Sequence, residues 1–150
     1  MKILSILAVF VFFMLSADAL SAEKAQKQNP PLSKEEIQKL RDIAVIIAEE
    51  ITRRNIKSVT IIDFKDIEGN PSKRGKTVAA EFRKQMEALG KANFTVKDSG
   101  GGALVTGMFL PFKGGDKWRL DIKVIEALSP DNRLITSYSG FFRKTKGVKK

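Results

Sequence analysis

Apolar and polar positions along the chain change their spacing several times, and each change marks an element. Ile37, Leu40, Ala44, Ile47, Ala48 and Ile51 recur at helical intervals, while Lys39, Arg41, Asp42, Glu49 and Arg53 fall mostly off that stripe. Ser33 and Glu36 stand as a capping box before the run, with Leu32 and Ile37 placed as a hydrophobic staple. The pattern predicts a helix to about Arg54. Val59 to Phe64 is then a short, nearly continuous apolar run rich in β-branched residues, the pattern of a strand buried on both faces. Asp66 to Asn70 reads as a turn. Asn70 is placed to cap a second helix with Pro71 at its first position, and Val78, Phe82, Met86 and Leu89 form its stripe. Gly90 is the expected stop, and Phe94 to Lys97 the next strand.

Ser99-Gly100-Gly101-Gly102 reads as a flexible connector. Ala103 to Leu110 is a strand, and Lys113-Gly114-Gly115-Asp116 a hairpin loop. The following strand alternates: Trp118, Leu120, Ile122 and Val124 on one face, Lys117, Arg119, Asp121 and Lys123 on the other. The alternation slips at Val124-Ile125, as at a bulge. Ser129 to Asn132 is a turn, and Leu134 to Phe142 a last strand. The polar face of the Trp118 strand leaves water or a partner on one side of the sheet, so the helices belong on the other. The expected fold class is α/β, a mixed sheet of about five strands packed with two main helices. One right-handed parallel βαβ crossover is followed by an antiparallel meander.

The first residues follow another pattern. Met1-Lys2 is charged, Ile3 to Leu15 is apolar except for Ser5, and small residues run to Ala22. These are the three regions of a signal peptide, with cleavage expected after Ala19 or Ala22. The apolar run falls short of the roughly 20 residues that span a bilayer. The expected organisation is a signal peptide over 1–22, a flexible spacer over 23–31, one α/β domain over 32–144 and a basic tail over 145–150. The expected location is the periplasm or cell envelope, possible outer-membrane association included, with no transmembrane segment after cleavage.

Charge and composition narrow the chemistry. The chain has 27 Lys+Arg against 17 Asp+Glu, a net charge of +10, no His and no Cys. Such a balance calls for an anionic neighbour, and export makes nucleic acid an unlikely one. Without Cys or His, thiolate metal sites, thiol redox chemistry and His-based triads are excluded, and so is a lipid anchor on a cysteine of this sequence.

Gly69 to Thr77 invites a phosphate-loop reading, but five residues separate Gly69 from Gly75 where the loop needs four, and Pro71 removes an N–H donor. Asp63, Asp66, Glu68 and Asn70 crowd oxygens at a strand end but lack the spacing and closing Glu of a calcium loop. The same carboxylates suit a cell-wall hydrolase only with an acid opposite them, and none is fixed there. No catalytic residue, cofactor or metal is expected. The remaining constellation is basic: Lys73, Arg74, Lys76, Arg83 and Lys84 around the second helix, and Arg143 and Lys144 leading into Lys146, Lys149 and Lys150. These are the candidate contacts for a polyanion or an acidic partner; as charge runs they equally suit a solvated surface. Phe141-Phe142 suits core or an exposed docking edge.

Residues 56–98 and 102–144, following the long helix, together resemble the FlgO-like and CsgG-like group of bacterial envelope proteins. The positions that carry the resemblance are Asp63-Phe64, Asp66 and Gly69, Gly75, Thr106-Gly107 and Asp131-Asn132. Their order and spacing cover roughly Ser33 to Lys144. Relatives place a helical segment before the Thr-Gly strand, where this chain has only Asp98 to Gly102, so a minimal version is expected. The membrane-spanning hairpins of the curli channel are also missing. The resemblance implies a non-enzymatic role at the periplasm or outer membrane, in assembly of an envelope structure such as the flagellum, with envelope or assembly-machinery proteins as partners. Binding of anionic polymer or lipid head groups through the basic patches is the alternative, and wall hydrolysis the weakest reading.

Overall fold

The structure, a computed structural model, describes residues 31–112 and 117–143. The expected signal peptide, the spacer up to Pro30, the hairpin loop at Lys113–Asp116 and the tail from Lys144 lie outside the described residues.

Helix α1 spans Lys34–Arg53. Its capping box forms as the sequence predicts: the Ser33 hydroxyl accepts from the Glu36 N–H at 3.2 Å, and the Glu36 carboxylate accepts from the Ser33 N–H at 2.8 Å. The far end closes through Asn55, held at φ 56°. The Asn55 N–H donates to the Thr52 carbonyl and the Ile56 N–H to the Ile51 carbonyl, the paired bonds of a Schellman ending. Ile43 joins the predicted stripe as a fully buried residue, while Ile37 stays half-buried.

Strand β1 is Ser58–Ile61, α2 Lys73–Gly90 and β2 Thr95–Lys97. Strands β3 (Ala103–Pro111), β4 (Lys117–Glu126) and β5 (Leu134–Arg143) follow as a meander. The sheet order is β2-β1-β3-β4-β5, with β1 parallel to both β2 and β3 and the other pairs antiparallel. The expected α/β class and five-stranded mixed sheet are present; the second parallel pairing is an addition. Both helices pack on one face, which we call inner, against Val59, Val105, Leu120, Ile122 and Val124. The slip at Val124/Ile125 is a true register shift, after which Ile135 turns inward and Leu134 outward.

Two local readings are corrected. Ser72, not Asn70, caps α2, its hydroxyl accepting from the Gly75 N–H at 2.9 Å. Pro71 pairs with Lys65 in an isolated bridge instead of opening the helix. Gly90 is where α2 stops, as expected. It is the last helical residue, and a Cβ there would lie 2.6 Å from the Phe94 ring, so glycine is needed for packing.

The second correction concerns Gly100–Gly102, which is no loose connector. Strands β2 and β3 run the same way on opposite sides of β1, so residues 98–102 must cross β1. They do so on the outer face. The Gly101 N–H donates to the Thr60 hydroxyl at 3.0 Å and the Gly102 N–H to the Ser58 hydroxyl at 3.0 Å. A Cβ on Gly101 would sit 2.6 Å from the Thr60 nitrogen, so only glycine lets the two backbones pass this closely. This lid leaves Thr60 only 7% exposed and buries β1 on both faces, as its apolar run predicts. Helix α2 crosses one way on the inner face and the glycine segment returns on the outer face. Both crossovers therefore share one hand, as the chirality rule requires.

Candidate interaction surface

The basic constellation around α2 does not form one surface. Arg74 turns to α1, where its guanidinium meets the buried Glu36 carboxylate at 2.5 Å. Arg83 donates to Asp98 at 3.0 Å and to the Ile61 carbonyl at 2.8 Å, tying α2 to the end of β1 and the crossover. Lys76 lies 4.0 Å from Asp63. Lys73 and Lys84 are exposed, eleven positions apart and so on the same side of the helix. Arg143 ends β5, and Lys144 falls outside the described residues. The patch divides into structural ion pairs and separate surface lysines.

The acidic cluster is likewise used locally. The Asp66 carboxylate accepts from the N–H groups of Glu68 and Asn70 at 3.0 and 2.8 Å, which builds the turn. Asn70 in turn donates to Glu68 at 3.3 Å. Among the described residues no group of three His, Cys, Asp or Glu side chains could hold a metal ion. Nor is any described helix long and apolar enough to cross a membrane.

What the fold leaves open lies elsewhere. On β3, β4 and β5, every second residue points away from the helices. Cross-strand rows bring together Leu104, Ile125 and Leu134, then Thr106, Lys123 and Ser137, then Met108, Asp121 and Ser139, then Leu110, Arg119 and Phe141. This outer face is apolar at both ends and polar in the middle. Met108 is 39% exposed, Leu134 52% and Phe141 51%, large exposures for apolar side chains grouped on one surface. In the middle, Arg119 Nη2 donates to Asp121 at 2.8 Å. Arg119 Nε and the other Asp121 oxygen are buried and without a partner among the described residues, while the two side chains as wholes remain 38% and 24% exposed.

The end of this face opens into a cleft of about 760 Å³ between the start of α1 and the ends of β4 and β5. Phe112 and Phe141 meet edge to face there, centroids 5.4 Å apart, with Lys39, Lys117 and Arg143 around them. Beneath, Phe142 stacks on Trp118 at 4.0 Å and Lys39 lies over the Phe142 ring. So Phe141-Phe142 divides between core and surface: Phe142 is buried and Phe141 half exposed. The polar alternation of β4 pointed to this face. The exposed partners on β3 and β5 were missed, because their placement depends on register.

Glu50, beside the same edge on α1, bonds Arg54 at 2.6 Å and also Arg53. Its carboxyl is held below the usual range, chiefly by the Arg54 hydrogen bond and then by Arg53.

Among the positions that carry the family resemblance, Phe64, Gly75 and Gly107 are packing positions. Phe64 is fully buried against Phe82. A Cβ on Gly107 would lie 2.6 Å from the Phe64 ring, and one on Gly75 would lie 1.8 Å from the Phe64 carbonyl oxygen. Gly69 takes positive φ in the turn. Phe64, Gly75 and Gly107 of the motif thus build the fold around the Phe64 ring.

The fold is similar to the LpoB C-terminal domain from Salmonella enterica, with TM-score 0.53 over 70% of this chain and 96% of that one at 9% identity. A weaker likeness is to the lipoprotein GNA1162 from Neisseria meningitidis, with TM-score 0.42 over 59% of this chain and 81% of that one at 10% identity. No family model and no curated protein matches the sequence. The likeness is one of fold, and the resemblance to FlgO-like and CsgG-like proteins rests on the residues alone.

Proposed function

We propose that this chain is a non-enzymatic interaction domain of the bacterial cell envelope, exported by its N-terminal signal sequence and grouped with FlgO-like and CsgG-like proteins. Its role is to bind protein partners in assembly of an envelope structure, the flagellum being the instance the resemblance suggests. The observation that supports the reading is the outer face of β3–β5, where half-exposed Met108 and Phe141 flank the Arg119–Asp121 pair and Leu134 stands half exposed at the far end. Exposed apolar and aromatic side chains beside an arginine are residue types enriched at protein interfaces. The polymer-binding alternative has lost a continuous patch, since Arg74 and Arg83 are engaged in ion pairs.

Salt separates the two. The test is chemical crosslinking of the chain in its own envelope, followed by washing at low and high salt. A small set of proteins retained at high salt is expected, because an apolar contact persists when exposed charge is screened within about 8–10 Å. Loss of all partners at high salt, with binding abolished by Lys73→Ala, Lys76→Ala and Lys84→Ala together, would establish the polymer reading instead.

A further inference from the structure

Resting on the interaction reading, we infer that the free edge of β5 is a strand-addition site, taking an extended partner segment with an apolar centre and acidic ends. Strand β5 has ten residues and is the outermost strand on its side of the sheet. Long free edges are usually guarded by Pro, by a bulge or by inward charges. Leu134 to Phe142 contains no proline and no charged residue, and its bulge lies at Ile135, near the start of the strand.

The backbone phase of this edge follows from two contacts. Lys39 donates to the Phe141 carbonyl, and Arg54 to the Ile135 carbonyl at 3.3 Å. Both carbonyls therefore point away from β4. In an antiparallel strand the N–H and C=O of one residue point the same way and alternate residue by residue. Ser137 and Ser139, both exposed, thus present their N–H and C=O to the same free edge, between the two basic side chains. Their backbone groups bond no loop, turn or cap among the described residues.

Helix α1 supplies the other wall. Lys39, Ile43, Ile46, Glu50 and Arg54 follow one another at three- and four-residue steps, hence on one stripe. The ends of that stripe touch β5 through Lys39 and Arg54, and Ile43 lies under Gly140. Ile46 sits midway along it and is 49% exposed, an apolar side chain beside the open edge. A sixth strand pairing with Ser137 and Ser139 sets an inward side chain over Ile46 and its ends beside Lys39 and Arg54. Arg53 and Arg54 share the single Glu50 carboxylate, which leaves that end net positive, so an apolar centre with carboxylate ends fits that sequence of contacts.

A second copy fits worse. Antiparallel pairing of two β5 edges about Tyr138 sets residue 135 opposite residue 141 of the other chain. That brings Lys39 of each copy beside Arg54 of the other, between chains that each carry +10.

The test is amide hydrogen exchange on the full chain with a short blocked peptide, glutamate at both ends and alternating valine and threonine between. At about 1 mM peptide, exchange at Ser137 and Ser139 slows about tenfold or more. A peptide with lysine in place of glutamate leaves it unchanged. Ser139→Pro removes an edge donor without touching the ladder to β4, and Ile46→Asp removes the apolar wall; each abolishes the slowing. Thermal unfolding verifies that the variants fold, and if Ser139→Pro does not, Ile46→Asp decides. The proposal is overturned by unchanged exchange with the glutamate peptide, by equal slowing with the lysine peptide, or by slowing retained in the folded variants. It is also overturned by slowing without peptide that grows with protein concentration, which marks a second copy. Failure here is distinct from failure of the interaction reading: partners crosslinked equally well to wild type and Ile46→Asp keep that reading and remove only the edge.

Discussion

The two halves of the sheet are built to opposite ends. In the parallel half, β1 is enclosed: helices cover its inner face, the glycine crossover covers its outer face, and Arg83 ties its end to α2. In the antiparallel half, β4 and β5 have the helices on one face only. Their outer face carries half-exposed apolar residues, and the β5 edge carries free backbone groups. On the proposed reading, the difference separates stability from function. Closed packing around Phe64 fixes the fold, and the open half is free to present a surface.

Substitutions that break the comparison most strongly belong to the closed half. Phe64→Ala empties the site shared with Phe82, Gly75 and Gly107, with an expected loss of about 3–5 kcal/mol in denaturant unfolding. Glu36→Gln is next. It weakens the capping box and leaves Arg74 without its buried carboxylate, costing about 2–3 kcal/mol by the same measurement. Gly101→Ala forces the crossover off β1 and costs about 1–3 kcal/mol, with faster amide exchange along β1 as the local sign. In the open half, Phe141→Ala costs under about 1 kcal/mol, because much of the ring is already in water. Its effect is expected in partner capture instead.

The smallest effect is electrostatic. The Glu50 carboxyl is held below its usual range, so its stabilisation is present above the unfolded value and lost as pH falls through the folded one. Glu50→Gln is therefore slightly less stable than wild type at neutral pH, and the two converge in acid. Unfolding measured against pH checks the sign.

Much of this fold is legible in the pattern of residues. The capping box, both helical stripes, the alternation of β4 and its slip at Val124-Ile125 all follow from local chemistry, and each forms. What escaped depends on distant neighbours. Gly101 reads as a flexible residue until β1 is seen beneath it. Asn70 and Ser72 are both good caps, and the bridge of Pro71 to Lys65 decides between them. The basic residues of α2 look alike in sequence, yet Arg74 and Arg83 find carboxylates 38 and 15 residues away while Lys73 and Lys84 remain exposed. The outer face was half legible: β4 gave its polar row, but Met108 and Phe141 join it only through cross-strand register.

The central claim is that the open half, and not the α2 cations, meets the partner. A photo-crosslinking side chain placed singly at Ser137, at Met108 or at Lys84, in the chain within its native envelope, tests this most directly. The account predicts discrete protein adducts from Ser137 and Met108 that persist at high salt, and none from Lys84. Adducts from Lys84 alone would contradict it and return the function to the basic face.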